Sequence, residues 1–243
     1  MMSKVLILSD IHGNLSALLT VLQKEQVDRF DGIILLGDII DYGPHSNEVI
    51  KCLQRIPRRL VLVNIWGNHE YAIANKEYER FSCERGKKCA QNTTEKLKKE
   101  SLEYLYSMEC AGKKEFQLSE KKCLAVHGSL EDPYWKSISY EEMEERYAAY
   151  DIVFSGHSHV PHYITRFYNN DDENYRFKKK TIFLNPGSVG QPRNHNPNAH
   201  YIVLDTENMS VQLNAVSYDV DAERKCFSDE IDDFYKERLI RGI

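Results

Sequence analysis

The sequence predicts an α/β fold. Short apolar runs rich in Val, Ile and Leu recur along the chain, helical patterns separate the early ones, and strands joined by turns take over after Val160. The runs are Val5 to Leu8, Gly32 to Leu36, Leu60 to Val63, Cys123 to Val126, Ile152 to Phe154 and Thr181 to Leu184, each ending abruptly in polar residues or glycine. Unbroken apolar runs of this length belong to strands covered on both faces, because half-exposed strands alternate.

Between the first runs, Asn14 is placed to cap a helix whose Leu15, Leu18, Leu19 and Leu22 share one face. Ser46 or Asn47 opens a second helix through Val49, Ile50 and Leu53. From Tyr71 to about Met108 the chain is mostly polar and helix-like, with Asn92 followed by Glu95 as a capping pattern before Leu97. A helical cap-like segment is therefore expected at about 71–108. The strands after Val160 are expected at His162 to Phe167, Tyr175 to Leu184, Ala199 to Leu204 and Met209 to Val216, with a loop at Asn169 to Asn174. They suggest a second, largely antiparallel sheet. There is no internal repeat, low-complexity linker or composition break, so residues 1–243 are read as a single domain.

With 243 residues and 42% hydrophobic content, the chain can bury roughly 70 to 75% of its unfolded surface without staples. Its 32 Lys and Arg against 37 Asp and Glu give a net charge of -5. This argues against stable binding to nucleic acid or an anionic membrane, so any anionic substrate must be held locally. The six cysteines (Cys52, Cys83, Cys89, Cys110, Cys123, Cys226) are scattered and form no CxxC pair, as expected of reduced thiols in a cytoplasmic protein. The run from Val5 to Leu8 is too short for a signal-peptide core or a membrane span, which supports the same location. Self-association is left open.

The polar motifs sit where the apolar runs end. Asp10 and His12 follow Leu8; Asp38 and Asp41 follow Leu36; Asn68, His69 and Glu70 come soon after Val63; His127 follows Val126; and His157 and His159 come soon after Phe154. In an open α/β sheet, ligand sites form beyond the carboxyl ends of the strands. Any one of these residues has an ordinary reading as a turn cap or a half-buried histidine, but solvated loops have no need to gather imidazoles and carboxylates at one sheet edge.

The motifs DxHGN at Asp10 to Asn14, GDxxDxGP at Gly37 to Pro44, GNHE at Gly67 to Glu70, HGS at His127 to Ser129 and GHSH at Gly156 to His159 together resemble the calcineurin-like metallophosphoesterases. NPGSVGQPR at Asn185 to Arg193, with HGSLEDPYW from His127, is similar to a prokaryotic branch that includes dinucleoside polyphosphate hydrolases and phosphodiesterases. The resemblance implies a four-layer α/β/β/α sandwich of two mixed sheets flanked by helices. It also implies two divalent or trivalent transition-metal ions, the first held by Asp10, His12, Asp38 and His159 and the second by Asp38, Asn68, His127 and His157. Mixed imidazole, carboxylate and amide donors suit manganese, iron or zinc. Such a pair of ions shares a hydroxide that attacks phosphorus in line.

By the same resemblance His69 is the proton donor to, or the stabiliser of, the leaving oxygen, and Asp41 orients it. Many relatives carry arginine immediately after the Asp equivalent to Asp41, where this chain has Tyr42. A phosphate-gripping role for that position is therefore not carried over intact, and Arg193 is the candidate replacement. The Lys76 to Lys99 segment, with eight Lys or Arg against four Glu, is a further candidate for guiding a polyphosphate. The function expected is hydrolysis of phosphoester or phosphoanhydride bonds in a small phosphorylated or nucleotide substrate. Tyr71, Tyr78, Phe81, Tyr134 and Trp135 are candidates for stacking on a base. The alternatives are a protein serine/threonine phosphatase or general phosphomonoesterase, and a catalytically silent metal-binding scaffold.

Overall fold

A computed structural model of the chain describes residues 4–171, 173–175 and 178–243. The first sheet is built from β1 (Lys4–Leu8), β2 (Gly32–Leu35), β3 (Val61–Asn64), β9 (Ala199–Asp205) and β10 (Ser210–Val216), in the order β10-β9-β1-β2-β3. The second contains β4 (Lys113–Leu118), β5 (Lys121–Val126), β6 (Ile152–Ser155), β7 (His162–Asn169) and β8 (Lys178–Asn185), in the order β4-β5-β6-β8-β7. Both are mixed. β1 pairs parallel to β2 and antiparallel to β9, while β5-β6 and β6-β8 are parallel inside antiparallel edges.

The apolar runs are strands because each strand has two faces to bury. In β1, Val5 and Ile7 pack between the sheets with Ile34, Val63, Ala125, Phe154 and Leu184. Leu6 and Leu8 point the other way, against Leu18, Val21, Val49, Ile50 and Leu53. Those partners come from α1 (Leu15–Glu25) and α2 (Ser46–Leu53). On the outer face of the second sheet, Leu124, Val126, Val153 and Phe183 pack on Met143, Tyr147 and Tyr150. The fourth layer is thin there, formed around a 3-10 turn at Glu145–Ala149.

Asn14 caps α1, accepting from the Ala17 N–H at 3.0 Å. Ser46 begins α2, but the N-cap is His45, and the Ser46 hydroxyl instead accepts from the Asp41 N–H at 3.0 Å. The stretch expected as a cap holds α3 (Asn68–Asn75), α4 (Glu84–Lys96) and α5 (Lys99–Tyr106). The capping pattern expected at Asn92 and Glu95 is not one: both lie inside α4, and Leu97 is its C-cap. That motif read a helix start from residues that face outward in mid-helix.

The expectation of a separate antiparallel sheet after Val160 is also corrected. β7 and β8 complete the second sheet, while β9 and β10 cross back to the first, where β9 buries Ile202 and Leu204 between the layers. The strand expected from Tyr175 is observed from Lys178, after a 3-10 turn at Glu173–Tyr175. The expected strand start at residues 176 and 177, the loop residue Asp172, and the first three residues lie outside the described positions. β4 and the helices α6 (Val220–Arg224) and α7 (Asp233–Arg241) have no counterpart in the sequence reading. Among the described residues no helix is long and apolar enough to cross a membrane.

Candidate metal centre

The ends of β1, β2, β5 and β6, with the start of α3, converge on one buried cluster. Two groups of donor atoms lie within 4.8 Å of one another: Asp10, His12, Asp38 and His159 form one, and Asp38, His127 and His157 form the other. Asp38 is common to both. Asn68 joins the second group through its Oδ1, 3.0 Å from His127 Nε2 and 3.0 Å from His157 Nδ1.

The imidazoles are aimed by main-chain carbonyls. His12 Nδ1 bonds the Ile40 oxygen at 3.2 Å, His127 Nδ1 the Leu36 oxygen at 2.7 Å, and His159 Nδ1 the Gln191 oxygen at 2.5 Å. A carbonyl can only accept, so each Nδ1 carries the proton and each Nε2 presents a lone pair to the cluster. This is the arrangement a metal ligand requires. His12 Nε2 and His159 Nε2 are 3.2 Å apart, and His159 Nε2 is 3.1 Å from Asp10 Oδ1. Asp10 Oδ1 is buried with no hydrogen-bond donor, while its other oxygen accepts from Ser9 at 2.5 Å and from the His157 N–H at 3.2 Å. An orphaned carboxylate oxygen facing two imidazole lone pairs fits a cation and is costly without one.

Electrostatics agree. Burial pushes His12 and His159 below the usual imidazole value and His157 down to about 4, so these rings are neutral donors. Burial also acts against the charge on Asp38 and Asp10, but the surrounding imidazoles win and hold both carboxyls below the usual range. His127 is the exception. Burial lowers it, yet Asp38, with Nε2 to Oδ2 at 3.3 Å, pushes it up to about 9.

The backbone is bent to make this possible. Asp10, His12, Asp38, Asp41, Tyr42, His157 and His159 all have positive φ, between 47° and 70°. That region costs a non-glycine residue free energy and persists where surrounding structure enforces it. His157 and His159 thus lie on a tight left-handed turn rather than an extended one, which sends one ring to each group. A Cβ on Gly67 would stand 2.1 Å from Asp38 Oδ1, so only glycine lets α3 start beside the shared carboxylate.

His69 is outside both groups. Its Nδ1 is 2.6 Å from Asp41 Oδ2, its N–H donates to Asp38 Oδ1 at 2.9 Å, and its Nε2 is 3.9 Å from Asp38 Oδ2. Burial lowers its basicity, but Asp38 and Asp41 more than offset this and leave it raised.

Several supporting residues were not read from the sequence. Glu70, fully buried, accepts from the N–H groups of Asp38 (2.7 Å), Gly67 (2.8 Å), Ile39 (2.9 Å) and Ile40 (3.3 Å), and so holds the Asp38 turn. Its place in GNHE was the available signal. Thr93 donates to Asp41 Oδ1 at 2.6 Å from within a polar helix that gave none. Tyr235 of α7 stacks on Tyr42 with centroids 4.4 Å apart, and Tyr42 in turn contacts His12 and His69.

Above the cluster opens a cavity of about 380 Å³ lined by Asp38, Asn68, His69, His157 and His159, with Tyr42, Arg80, Phe81, Ser82, Trp135 and Arg193 around them. Of the aromatic candidates, Phe81 and Trp135 reach it, packed edge to face at 5.2 Å. Tyr71 and Tyr134 pack on each other, and Tyr78 bonds Thr94 at 2.9 Å. From the Lys76 to Lys99 segment, Arg80 alone of the basic residues lines the cavity.

Residues 2–209 match the family model of the calcineurin-like phosphoesterase superfamily domain. The chain belongs to this superfamily. A metallophosphoesterase from Sphaerobacter thermophilus is 26% identical, with a TM-score of 0.75 and both chains covered in full. A hypothetical protein from Pyrococcus horikoshii has the same fold, with a TM-score of 0.83 at 22% identity over 100% of this chain and 99% of that one. An uncharacterised protein of Methanocaldococcus jannaschii is 30% identical over an alignment of 250 positions that covers 99% of this chain and 98% of that one. Members of the superfamily are metal-dependent phosphoesterases, and the clustered Asp and His residues of this chain are suited to binding metal ions.

Proposed function

We propose that the chain hydrolyses a phosphodiester or phosphoanhydride bond in a nucleotide-bearing substrate, a dinucleoside polyphosphate being the leading candidate. The observation that carries this reading is the cavity: a floor of metal-ligand geometry under walls that hold two arginines and two packed aromatic rings. A simple phosphomonoester needs only the floor. The walls offer binding energy to a remote nucleoside, which can position the scissile phosphate.

In this reading Asp10, His12, Asp38 and His159 hold one ion, and Asp38, Asn68, His127 and His157 hold the other. Two transition-metal ions there, of the manganese, iron or zinc type, would supply positive charge to the phosphate and lower the pKa of water. The chain's own groups do the rest. Asp41 fixes the His69 ring through Nδ1, which leaves Nε2 facing the cavity to give a proton to the leaving oxygen. Arg193 and Arg80 meet the phosphate charge that a chain of net charge -5 cannot attract as a whole. The chain acts as one catalytic domain, with the segment at about 71–108 forming one cavity wall.

The test is a substrate panel on metal-reconstituted protein. Dinucleoside polyphosphates and nucleotide diesters are expected to exceed phosphomonoesters and phosphopeptides in kcat/KM. The reverse order would assign a phosphatase instead, and metal binding without turnover of any ester would assign a silent scaffold.

A further inference from the structure

The match to the family ends at residue 209, but a buried side chain of α7, beyond that limit, is packed into the site. Tyr235 is 2% exposed and joins Tyr42, Cys89 and Ile231 in a small cluster. Its ring lies nearly parallel to that of Tyr42, with centroids 4.4 Å and planes 18° apart. Tyr42 in turn meets the His69 ring at 4.4 Å and 72°, and the His12 ring at 4.6 Å. Among the described residues, Tyr235 has ring contacts with Tyr42 and Phe234 and with neither imidazole, so it bears on the histidines through Tyr42.

The hydrogen bond between His69 Nδ1 and Asp41 fixes one point of the imidazole and leaves the ring free to swing about it. Tyr42, Phe81 and His12 stand around that ring at 4.4, 5.0 and 4.7 Å, all steeply inclined to it, and close off the swing. Phe81 is backed by Trp135, and His12 is aimed by the Ile40 oxygen. Tyr42 is restrained from further along the chain. It follows Asp41 in a pair of non-glycine residues at positive φ, 70° and 57°, a conformation that persists where outside contacts enforce it. A packed aromatic pair gives directional attraction beyond plain burial, and the Tyr235 ring supplies it here.

α7 is itself anchored beside the metal ligands. Gln191 Nε2 donates to the Tyr235 oxygen at 3.4 Å, and the main-chain oxygen of the same Gln191 accepts from His159 Nδ1 at 2.5 Å. At the other end of the helix the His195 N–H donates to the Gly242 oxygen at 2.7 Å. The loop that aims His159 therefore also sets the Tyr235 ring against the site.

We propose that Tyr42 is a positioning residue for His69, and that α7 holds it in that role through the stacked ring of Tyr235. The effect on turnover rests on the phosphoesterase reading; the placement of the His69 ring does not. A displacement of about 1 Å at Nε2 is enough to cost up to about 10²-fold in rate while substrate binding is untouched.

Three variants of α7 test this, with kinetics on a chromogenic diester in the manganese-reconstituted protein. The imidazole proton signals of His69 in the zinc-reconstituted protein, assigned by their loss in His69→Ala, report the position of the ring. Tyr235→Leu is expected to keep its metal content, lower kcat about 10- to 100-fold, leave KM within about threefold and shift the His69 signals. Tyr235→Phe, which retains the stacked ring, should return both kcat and the signals to near their wild-type values. Leu239→Ala, at another buried position of α7 outside the Tyr42 cluster, should lower the melting temperature and leave kcat and the signals in place. Wild-type kcat in Tyr235→Leu overturns the proposal, and so does a fall in kcat with unmoved signals. An equal loss in Leu239→Ala also overturns it, because the packing of α7 as a whole would then matter rather than the Tyr235 ring. Should Tyr235→Leu not fold, Tyr42→Leu against Tyr42→Phe gives the same contrast from the other ring. Signals that move in Tyr235→Leu and return in Tyr235→Phe, in a protein that turns over no ester, leave the positioning role standing and overturn the hydrolase reading instead.

Discussion

The Nδ1 of His69 lies 2.6 Å from Oδ2 of Asp41, and the other oxygen of that carboxylate accepts from Thr93 at 2.6 Å. A buried imidazole held this way has one tautomer and one orientation, with Nε2 left for chemistry. His69→Ala is therefore expected to retain the metal ions and lose about 10²- to 10⁴-fold in kcat on a chromogenic diester. Asp41→Asn should approach the same loss because the ring is no longer held in that tautomer, and Thr93→Val should cost about tenfold. Loss of metal from His69→Ala would make His69 a ligand and remove its assignment as proton donor.

Metal stoichiometry tests the shared carboxylate. With Asp38 common to both donor groups, reconstitution of stripped protein is expected to saturate at two ions per chain. Asp38→Asn should weaken both sites, whereas Asp10→Asn should weaken chiefly the first. Saturation of the wild type at a single ion would rule out the dinuclear arrangement.

Much of this site was legible because its residues follow the ends of strands whose apolar runs are unmistakable: Asp10 after Val5 to Leu8, and His127 after Cys123 to Val126. The left-handed turns at Asp38 and His157 were not, since nothing in those residue types demands positive φ; the fold imposes it. β4 was missed because its Lys113, Glu115 and Gln117 alternate with Lys114, Phe116 and Leu118, a pattern too polar to stand out. The return of β9 to the first sheet is a matter of topology, and local periodicity carries no information about it. Tyr235 escaped for a similar reason: one aromatic on a charged helix looks like any surface residue until Tyr42 is seen beneath it.

Glu70 gives a prediction that separates support from chemistry. Burial and then Asp38 push its carboxyl up to about 7, while the N–H groups of Gly67 and Asp38 oppose the rise. All four hydrogen-bond partners are donors, so the amide nitrogen of a glutamine there would face N–H groups with no acceptor. Glu70→Gln is expected to cost about 2 to 3 kcal/mol in denaturant unfolding and to weaken metal binding through the displaced Asp38 turn. Unchanged stability with unchanged metal affinity would show that the Asp38 turn holds itself.

The docking of the C-terminal segment should depend on pH through His45. Its Nδ1 is 2.9 Å from Glu223 Oε1, and the other oxygen of Glu223 accepts from the Ser16 N–H at 3.2 Å, so the pair ties α6 to the starts of α1 and α2. The hydrogen bond to Glu223 raises the His45 imidazole above its usual value, burial opposes the rise, and the carboxylate charge adds to it. A group whose folded pKa is raised contributes fully below its unfolded pKa, about 6.5, and loses that contribution as pH climbs through the folded value. Replacing His45 with Gln should therefore cost about 1 kcal/mol at pH 6, and the gap should narrow at pH 8.5. The comparison is made by urea unfolding of both proteins at one fixed metal concentration. A gap that widens with pH would mean that His45 contributes as a neutral group and that the charge on the pair does not hold α6 in place.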